Sequence, residues 1–529
     1  MTDRFDFIVI GAGSAGCVLA NRLSGSGDAC VALIEAGGPA DPVLSRIPGA
    51  APRQQDTKSD WRFRTIPQKG LYDRVIDYPR GRALGGTSIL NYMIYVRGNA
   101  GDYDGWAQRG NTGWGYDDVL PYFVRAEANA RFDDAYHGTE GPLSVAHNPH
   151  AHPLCEVFFE AAEQSGIPYN PDINGASQFG CGHMQLTIRD GERCDTARAY
   201  LDPVRDRPNL TILKETLVTR IVVENGRAVG VECFEGGRVP RLLRAEAEIV
   251  LAAGAIGSPH LLMLSGIGPA EHLADHGIDI VLDNPDVGQN LEDHYSQDGV
   301  FRRLKDPDAM FGAMPRSFAD AVEAFETTKG GWLASMQIDA VAFHSVDPGA
   351  EFPQFQSIFS PSMPDFLRPA GRSGQGGVAL GGYICRPRSL GAVMLASANP
   401  LDAPLIDPNY LSDGDDLRLM IAHHRRNAEI LNAPAFDEIC DGPADPVLET
   451  DAEIEDLIRQ TASTIWHATS TCRMGPGEGA VVGPDLRVHG LDGLSVCDAS
   501  VFPSMISGNV NAPVIMVAEK GSDIIRARH

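Results

Sequence analysis

Three glycines near the start limit what this chain can fold into. In Phe5-Asp6-Phe7-Ile8-Val9-Ile10-Gly11-Ala12-Gly13-Ser14-Ala15-Gly16, an apolar, β-branched run breaks into a turn with G-x-G-x-x-G spacing. The run predicts a buried strand, and a helical pattern opens over 17–23. The first glycine permits the tight turn, the second lets a pyrophosphate approach the backbone, and the third lets helix and strand pack closely. The helix start offers unpaired N–H groups and partial positive charge to phosphates. A glycine-rich turn is also an ordinary route from strand to helix, so context decides. A second apolar run, Val31-Ala32-Leu33-Ile34, ends in Glu35, about 20 positions after Gly16, where an acid can accept a ribose 2′-hydroxyl. The pattern predicts dinucleotide binding and leaves FAD and NAD equally open.

At 529 residues the chain exceeds what one core usually holds, so two domains are expected. Its formal charge of −26 argues against nucleic-acid binding, which needs a basic face, and against adhesion to anionic lipid. Acidity of this kind serves solubility. No run of about 18 apolar residues occurs, so no membrane span is expected. Arg4 leads directly into the first strand without a cleavable apolar region. The ten cysteines include no C-x-x-C pair and fit neither a zinc site nor a disulfide framework. Reduced thiols in a cytoplasmic protein are the expectation.

Beyond Glu35 and the Ala36-Gly37-Gly38-Pro39 loop, an irregular stretch leads to Gly81-Arg82-Ala83-Leu84-Gly85-Gly86-Thr87-Ser88-Ile89-Leu90-Asn91-Tyr92-Met93-Ile94-Tyr95-Val96-Arg97-Gly98. Its double glycine and hydroxyl residues suit a loop pressed against a flat or charged ligand, or a plain turn into an apolar helix. Residues 154–164 have helical spacing, and 209–213 and 218–223 read as strands. Asn225-Gly226 signals a hairpin before 228–233, and 248–255 reads as a buried strand ending in small residues. From about 300 to 460, strand-like runs at 340–343 and 392–395 alternate with Pro- and Asp-rich loops, and 417–431 reads as an amphipathic helix. That change of texture predicts a second domain, with the first resuming near the C-terminus.

With these segments the chain resembles the glucose–methanol–choline family of FAD-dependent oxidoreductases. The 81–98 stretch is one diagnostic pattern, and Gly254-Ala255-Ile256-Gly257-Ser258-Pro259-His260-Leu261-Leu262-Met263-Leu264-Ser265-Gly266-Ile267-Gly268 is the other. Asp286-Val287-Gly288-Gln289-Asn290-Leu291-Glu292-Asp293-His294 and Gly493-Leu494-Ser495-Val496-Cys497-Asp498-Ala499-Ser500 match further, so the likeness spans essentially the whole chain. It implies an α/β fold: a Rossmann-like FAD-binding domain from 1–153, 193–299 and 463–529. The second, α+β substrate-binding domain, built on an antiparallel sheet, would come from 154–192 and 300–462. FAD replaces NAD in this reading. Gly11, Gly13, Ser14, Ala15 and Gly16 would hold the pyrophosphate, Glu35 and Ala36 the adenosine ribose, and Val218 the adenine. Leu84, Gly86, Thr87, Asn91 and Ile94 would lie along the flavin, with Trp466 and Pro513 beside it and Asp498 and Ala499 nearer the ribityl chain. Some relatives attach FAD through a histidine just before the asparagine of the first pattern. Here that residue is Leu90, which implies noncovalent FAD.

The resemblance also marks Ser463-Thr464-Ile465-Trp466-His467, in which His467 falls at the family's catalytic histidine. An imidazole can accept an alcohol proton at working pH while the carbinol hydride leaves for the flavin. The family's second catalytic position is assigned to Asn511, whose amide donates a hydrogen bond and cannot act as a base. The stretch 507–520, which contains Asn511, reads as a helix start with Asn or Ala at the cap and proline in the first turn. Tyr92, Ile465 and Trp466 are candidate substrate contacts, although buried aromatics are more often packing. Asp339 either faces a cationic substrate or pairs with an arginine. The expected reaction is oxidation of a primary alcohol, aromatic, furanic or another small alcohol, to the aldehyde, with oxygen or a quinone or redox protein as electron acceptor. The alternatives are a choline-type or aliphatic alcohol dehydrogenase and, from another class, a hydroxynitrile lyase with non-redox FAD. His467 and Cys472 lack companions for a metal site, so none is expected. Ala12-Gly13-Ser14-Ala15-Gly16 nearly matches a hydrolase nucleophile elbow, which would leave Glu35 and the flavin patterns unexplained.

Overall fold

In the computed structural model the described residues are 3–236, 239–297, 299–311, 315–361 and 376–529. The opening apolar run is β1 (Arg4–Ile10), and β2 (Val31–Ile34), β3 (Leu210–Leu213), β4 (Thr216–Glu224), β5 (Arg227–Glu235), β6 (Val239–Leu251) and β7 (Leu494–Val496) complete one sheet. Its order is β3-β2-β1-β6-β5-β4, with β7 beside the end of β6. β1 and β2 pair in parallel, as do β2 with β3, β1 with β6 and β6 with β7. Parallel strands covered on both faces must be apolar throughout, and β2 is buried at every residue. The hairpin between β4 and β5 turns at Asn225 and Gly226, with φ of 52° and 77°, the positive values a two-residue turn of this hand requires.

Ile10, Ile34 and Leu213 lie in register at the carboxyl ends of β1, β2 and β3, with Leu251 beside Ile10 and Val496 beside Leu251. The residues just past those ends include Gly11, Glu35, Ala252 and Asp498, and all four line one cavity. Ligands of open α/β sheets bind at this edge. Helix α1 (Ser14–Leu23) starts from the Gly11 turn, α2 (Gly254–Leu264) follows β6, and α3 (Asn511–Arg526) ends the chain against α1. The cap of α3 is Val510, with no side-chain hydrogen bond, not the expected asparagine or alanine.

A second sheet has six antiparallel strands in the order Cys440–Asp445, Val300–Leu304, Gly377–Ile384, Phe355–Pro361, Ala340–His344, Gly180–His183. Leu154–Gln164 and Gly414–Leu431 are helices whose apolar faces share a core with it, including Phe158, Phe159, Ile430 and Phe359. The Asp413 side chain caps the longer helix by accepting from the Asp415 N–H at 2.8 Å. Gly391–Met394 and Leu405–Asp407 depart from the expected division of the chain. They pair next to Gln289–Leu291, and Val393, Leu395 and Ile406 are buried in the core of the first sheet. Among the described residues no helix is long and apolar enough to cross a membrane.

Candidate active site

A cavity of about 810 Å³ reaches both the Gly11 turn and His467. At the first end the groups presented are backbone. Gly11 has φ of +98°, and a Cβ there would meet the Ala252 carbonyl oxygen at 2.6 Å. Gly86 has φ of +52°, and a Cβ on it would sit 2.5 Å from the Gly13 Cα, so the two glycine loops touch. No acid lies in the first turn of α1, which leaves its N–H groups free to meet an anion. Glu35 accepts from the Ala12 N–H at 2.9 Å and the Gly37 N–H at 2.8 Å, and burial pushes its carboxyl up to about 7. These two donors fix its direction while lone pairs remain for a ribose hydroxyl. A glycine cradle, a bare helix start and an oriented acid suit a dinucleotide pyrophosphate and ribose.

Of the positions expected along the cofactor, Ser14, Ala15, Ala36, Thr87, Asn91, Ile94, Val218, Trp466 and Ala499 line this cavity. Three others do not. Gly16 serves close packing: a Cβ there would overlap the Gly11 carbonyl oxygen. Leu84 is turned onto the first core, with its N–H donated to Gly38. Pro513 is buried inside α3, behind the lining residues Val510 and Val514. Asp498 accepts from the Gly254 N–H at 2.8 Å and the Ser258 hydroxyl at 2.5 Å, so its carboxylate anchors the start of α2.

At the other end the cavity wall is made of side chains. Trp466 has φ of +66°, a left-handed conformation rare for a bulky residue and costing about 1–3 kcal/mol. Two bonds hold it: the Trp466 N–H donates to Thr464 Oγ1 at 2.7 Å, and the His467 N–H donates to Asp293 Oδ1 at 2.7 Å. Both consecutive side chains line the cavity as a result. The Tyr92 ring stands edge-on to Trp466, with centroids 5.7 Å apart. Burial raises the Tyr92 hydroxyl to about 12, so it stays protonated. Ile338, Ile358 and Ile465 complete an apolar wall.

Hydrogen bonding settles which His467 nitrogen is available. His294 Nε2 lies 2.8 Å from the Cys385 carbonyl oxygen, which can only accept, so Nε2 carries the proton. A neutral His294 then has a bare Nδ1, 2.9 Å from His467 Nδ1, which must donate. His467 Nε2 is left as the acceptor. Burial, then the nearby His294 and Arg80, hold the His467 imidazole well below its ordinary range, and burial lowers His294 to about 4. Both rings are neutral at working pH.

The asparagine beside His467 is Asn509, not Asn511. Asn509 Nδ2 lies 3.2 Å from His467 Nε2, while its Oδ1 accepts from Gln356 Nε2 at 3.1 Å and the Tyr383 hydroxyl at 3.4 Å. Gln356 also accepts from Tyr383, closing the set. Asn511 lines the cavity as the first residue of α3, where its Oδ1 accepts from the Ser14 hydroxyl at 2.6 Å on the pyrophosphate turn. Asp339 is a second correction: its neighbour Ile338 lines the cavity and it does not. Its carboxylate accepts from Ser335 Oγ at 2.8 and 2.9 Å and from Asn148 Nδ2 at 3.0 Å, so it meets neither a substrate nor an arginine. His294, Gln356 and Tyr383 carried no assigned role in the sequence, although His294 ends a quoted family match. A paired acceptor and donor, His467 Nε2 and Asn509 Nδ2, can take the proton of a hydroxyl and hold the oxygen it leaves.

Two family models, both described as GMC oxidoreductase, match residues 5–296 and 387–518. The chain is 40% identical to an alcohol dehydrogenase [acceptor] of Pseudomonas putida, over 98% of this chain and 95% of that one. It is 41% identical to an oxygen-dependent choline dehydrogenase of Brucella suis, over 99% and 96%. The crystal structure of pyridoxine 4-oxidase from Mesorbium loti superimposes with a TM-score of 0.90 at 33% identity, covering 99% of each chain.

Proposed function

The chain belongs to the glucose–methanol–choline oxidoreductase family, and from that we propose that it oxidises a neutral primary alcohol, aromatic or furanic, to the aldehyde with His467 as base. As a member of this family it is an FAD-dependent oxidoreductase acting on CH–OH groups. FAD would supply the electron sink for the hydride of the carbinol carbon. Gly11, Gly13 and the start of α1 would hold its pyrophosphate, Glu35 its ribose, and Gly86 to Asn91 its ring. Leu90 offers no nucleophilic atom at the position where a histidine could bond the ring, so the FAD is held noncovalently.

The rest of the mechanism belongs to side chains. The alcohol hydroxyl donates to His467 Nε2 and accepts from Asn509 Nδ2. As the proton moves to Nε2, Asn509 stabilises the charge growing on oxygen, and Nδ1–H stays fixed on His294. Trp466, Tyr92 and the isoleucines exclude water and orient a flat, apolar substituent.

The observation that carries the reading is the neutral His467–Asn509 pair beside an aromatic wall. Among the described residues, the acids lining the cavity are Glu35, Asp402 and Asp498. The first faces the nucleotide end, the second is bonded to Ser397 and Asn399 in an exposed loop, and the third anchors α2. None is left to pair a quaternary ammonium at His467, which favours a neutral substrate over choline. Electrons leave to oxygen, a quinone or a redox protein. The described free cysteines, all but Cys30 buried, fit a reducing, cytoplasmic setting. A stopped-flow panel of benzylic, furanic, aliphatic and choline-like alcohols, run with and without oxygen, tests the proposal. Fastest flavin reduction by benzylic or furanic alcohols supports it, and fastest reduction by choline refutes the substrate assignment.

A further inference from the structure

Arg193 is a buried cation directly behind the cavity wall. It is 1% exposed, and Nη1 donates to the Ser88 carbonyl at 3.1 Å and to Asn91 Oδ1 at 2.8 Å. Its Nε and Nη2 have no hydrogen-bond partner, and no carboxylate pairs with it among the described residues. The nearby acid, Asp195, spends Oδ1 on the Ala197 and Arg198 N–H groups. Burial lowers the guanidinium to about 10, which still leaves it charged at neutral pH. An unpaired charge in a dry interior is costly and acts strongly on whatever lies beside it.

What lies beside it is Asn91. Asn91 Oδ1 is committed twice, to Arg193 and to the Met93 N–H at 3.0 Å, where Met93 has φ of +62°. With the carbonyl turned into the wall, the amide nitrogen is the group Asn91 can offer the cavity it lines. We propose that Arg193 is a positioning residue for the flavin: it pins Asn91 so that the amide N–H groups face the ring, and its own charge favours the ring's reduced, electron-rich state. This rests on FAD occupying the cavity as proposed above.

The test is the midpoint potential of bound FAD in purified wild type, R193M, R193Q, R193K and N91L, with FAD dissociation followed alongside. In R193M the ratio of affinities for reduced and oxidised FAD falls about tenfold, which makes the potential about 30 mV more negative for a two-electron couple. R193Q shows a smaller drop than R193M and holds FAD, because its amide can still donate to Asn91 while the charge is gone. R193K keeps the wild-type potential. N91L moves in the direction of R193M by less, since the charge remains, and it carries the test if neither neutral variant folds. Wild-type potentials in R193M and R193Q, or in N91L where those do not fold, overturn the proposal. A purified wild type with no flavin spectrum defeats the cofactor reading as well, whereas bound flavin with an unmoved potential defeats only the role of Arg193.

Discussion

At the Gly11 end of the cavity the ligand-facing groups are backbone N–H groups and one acid, set within 25 residues of each other along the chain. At the His467 end they are side chains from positions 92, 383, 466, 467 and 509, with His294 and Gln356 bonded to His467 and Asn509 behind them. The first end needs a turn that only glycine can make, and a wrong residue there breaks the fold. The second is a hydrogen-bond set on finished elements, and a wrong residue there changes the chemistry and leaves the fold. Binding the cofactor and choosing the reaction are therefore separable by mutation.

The largest expected effect comes from forcing the backbone end. In G16A a Cβ overlaps the Gly11 carbonyl, α1 must lift from β1, and purified protein should carry essentially no FAD by its flavin-to-protein ratio. Retained stoichiometric FAD would show that the turn tolerates what its geometry forbids. At the other end N509A should slow flavin reduction about 10–100-fold, the worth of a ~1.5–3 kcal/mol hydrogen bond to a group gaining charge, with FAD still bound. N511A sharpens the contrast. It loses a neutral bond to Ser14 worth about 0.5–1.5 kcal/mol, so FAD should bind a few-fold more weakly while reduction stays near wild type. Equal slowing in both variants would erase the distinction between the two asparagines.

The smallest effect is a flat line. His467 works only when neutral, and its pKa lies well below the ordinary value, so the competent form persists above that lowered value. kcat/KM should stay level from pH 8 down through 6.5 and fall only in more acid solution. A bend at pH 6.5 would mean that His467 titrates as an exposed imidazole.

The same contrast separates what is legible in the sequence from what is not. The Gly11–Gly16 turn, Glu35, the Asn225-Gly226 hairpin and the helix ending at Leu431 are local features, and each expected segment forms its element. Asn509 was legible only as one of two asparagines in Asn509-Val510-Asn511. Which one faces His467 depends on where α3 begins: Asn511 starts the helix beside Ser14, and Asn509 lies in the preceding turn, within reach of Gln356 on the second sheet. Asp339, next to the strand Ala340–His344, misled for a related reason. Side-chain direction in an extended run alternates, and the phase comes from pairing with distant strands, not from the run itself. No short motif could announce the His294–Cys385 carbonyl contact that sets the His467 tautomer, because it joins residues 91 positions apart.

The most direct test of the account mixes a benzylic alcohol anaerobically with wild type and H467A, each carrying FAD, and follows the visible flavin band. The account predicts rapid bleaching in wild type and a loss of about 10²–10⁴-fold in H467A, with its FAD still bound. Bleaching of H467A at the wild-type rate would contradict His467 as the base.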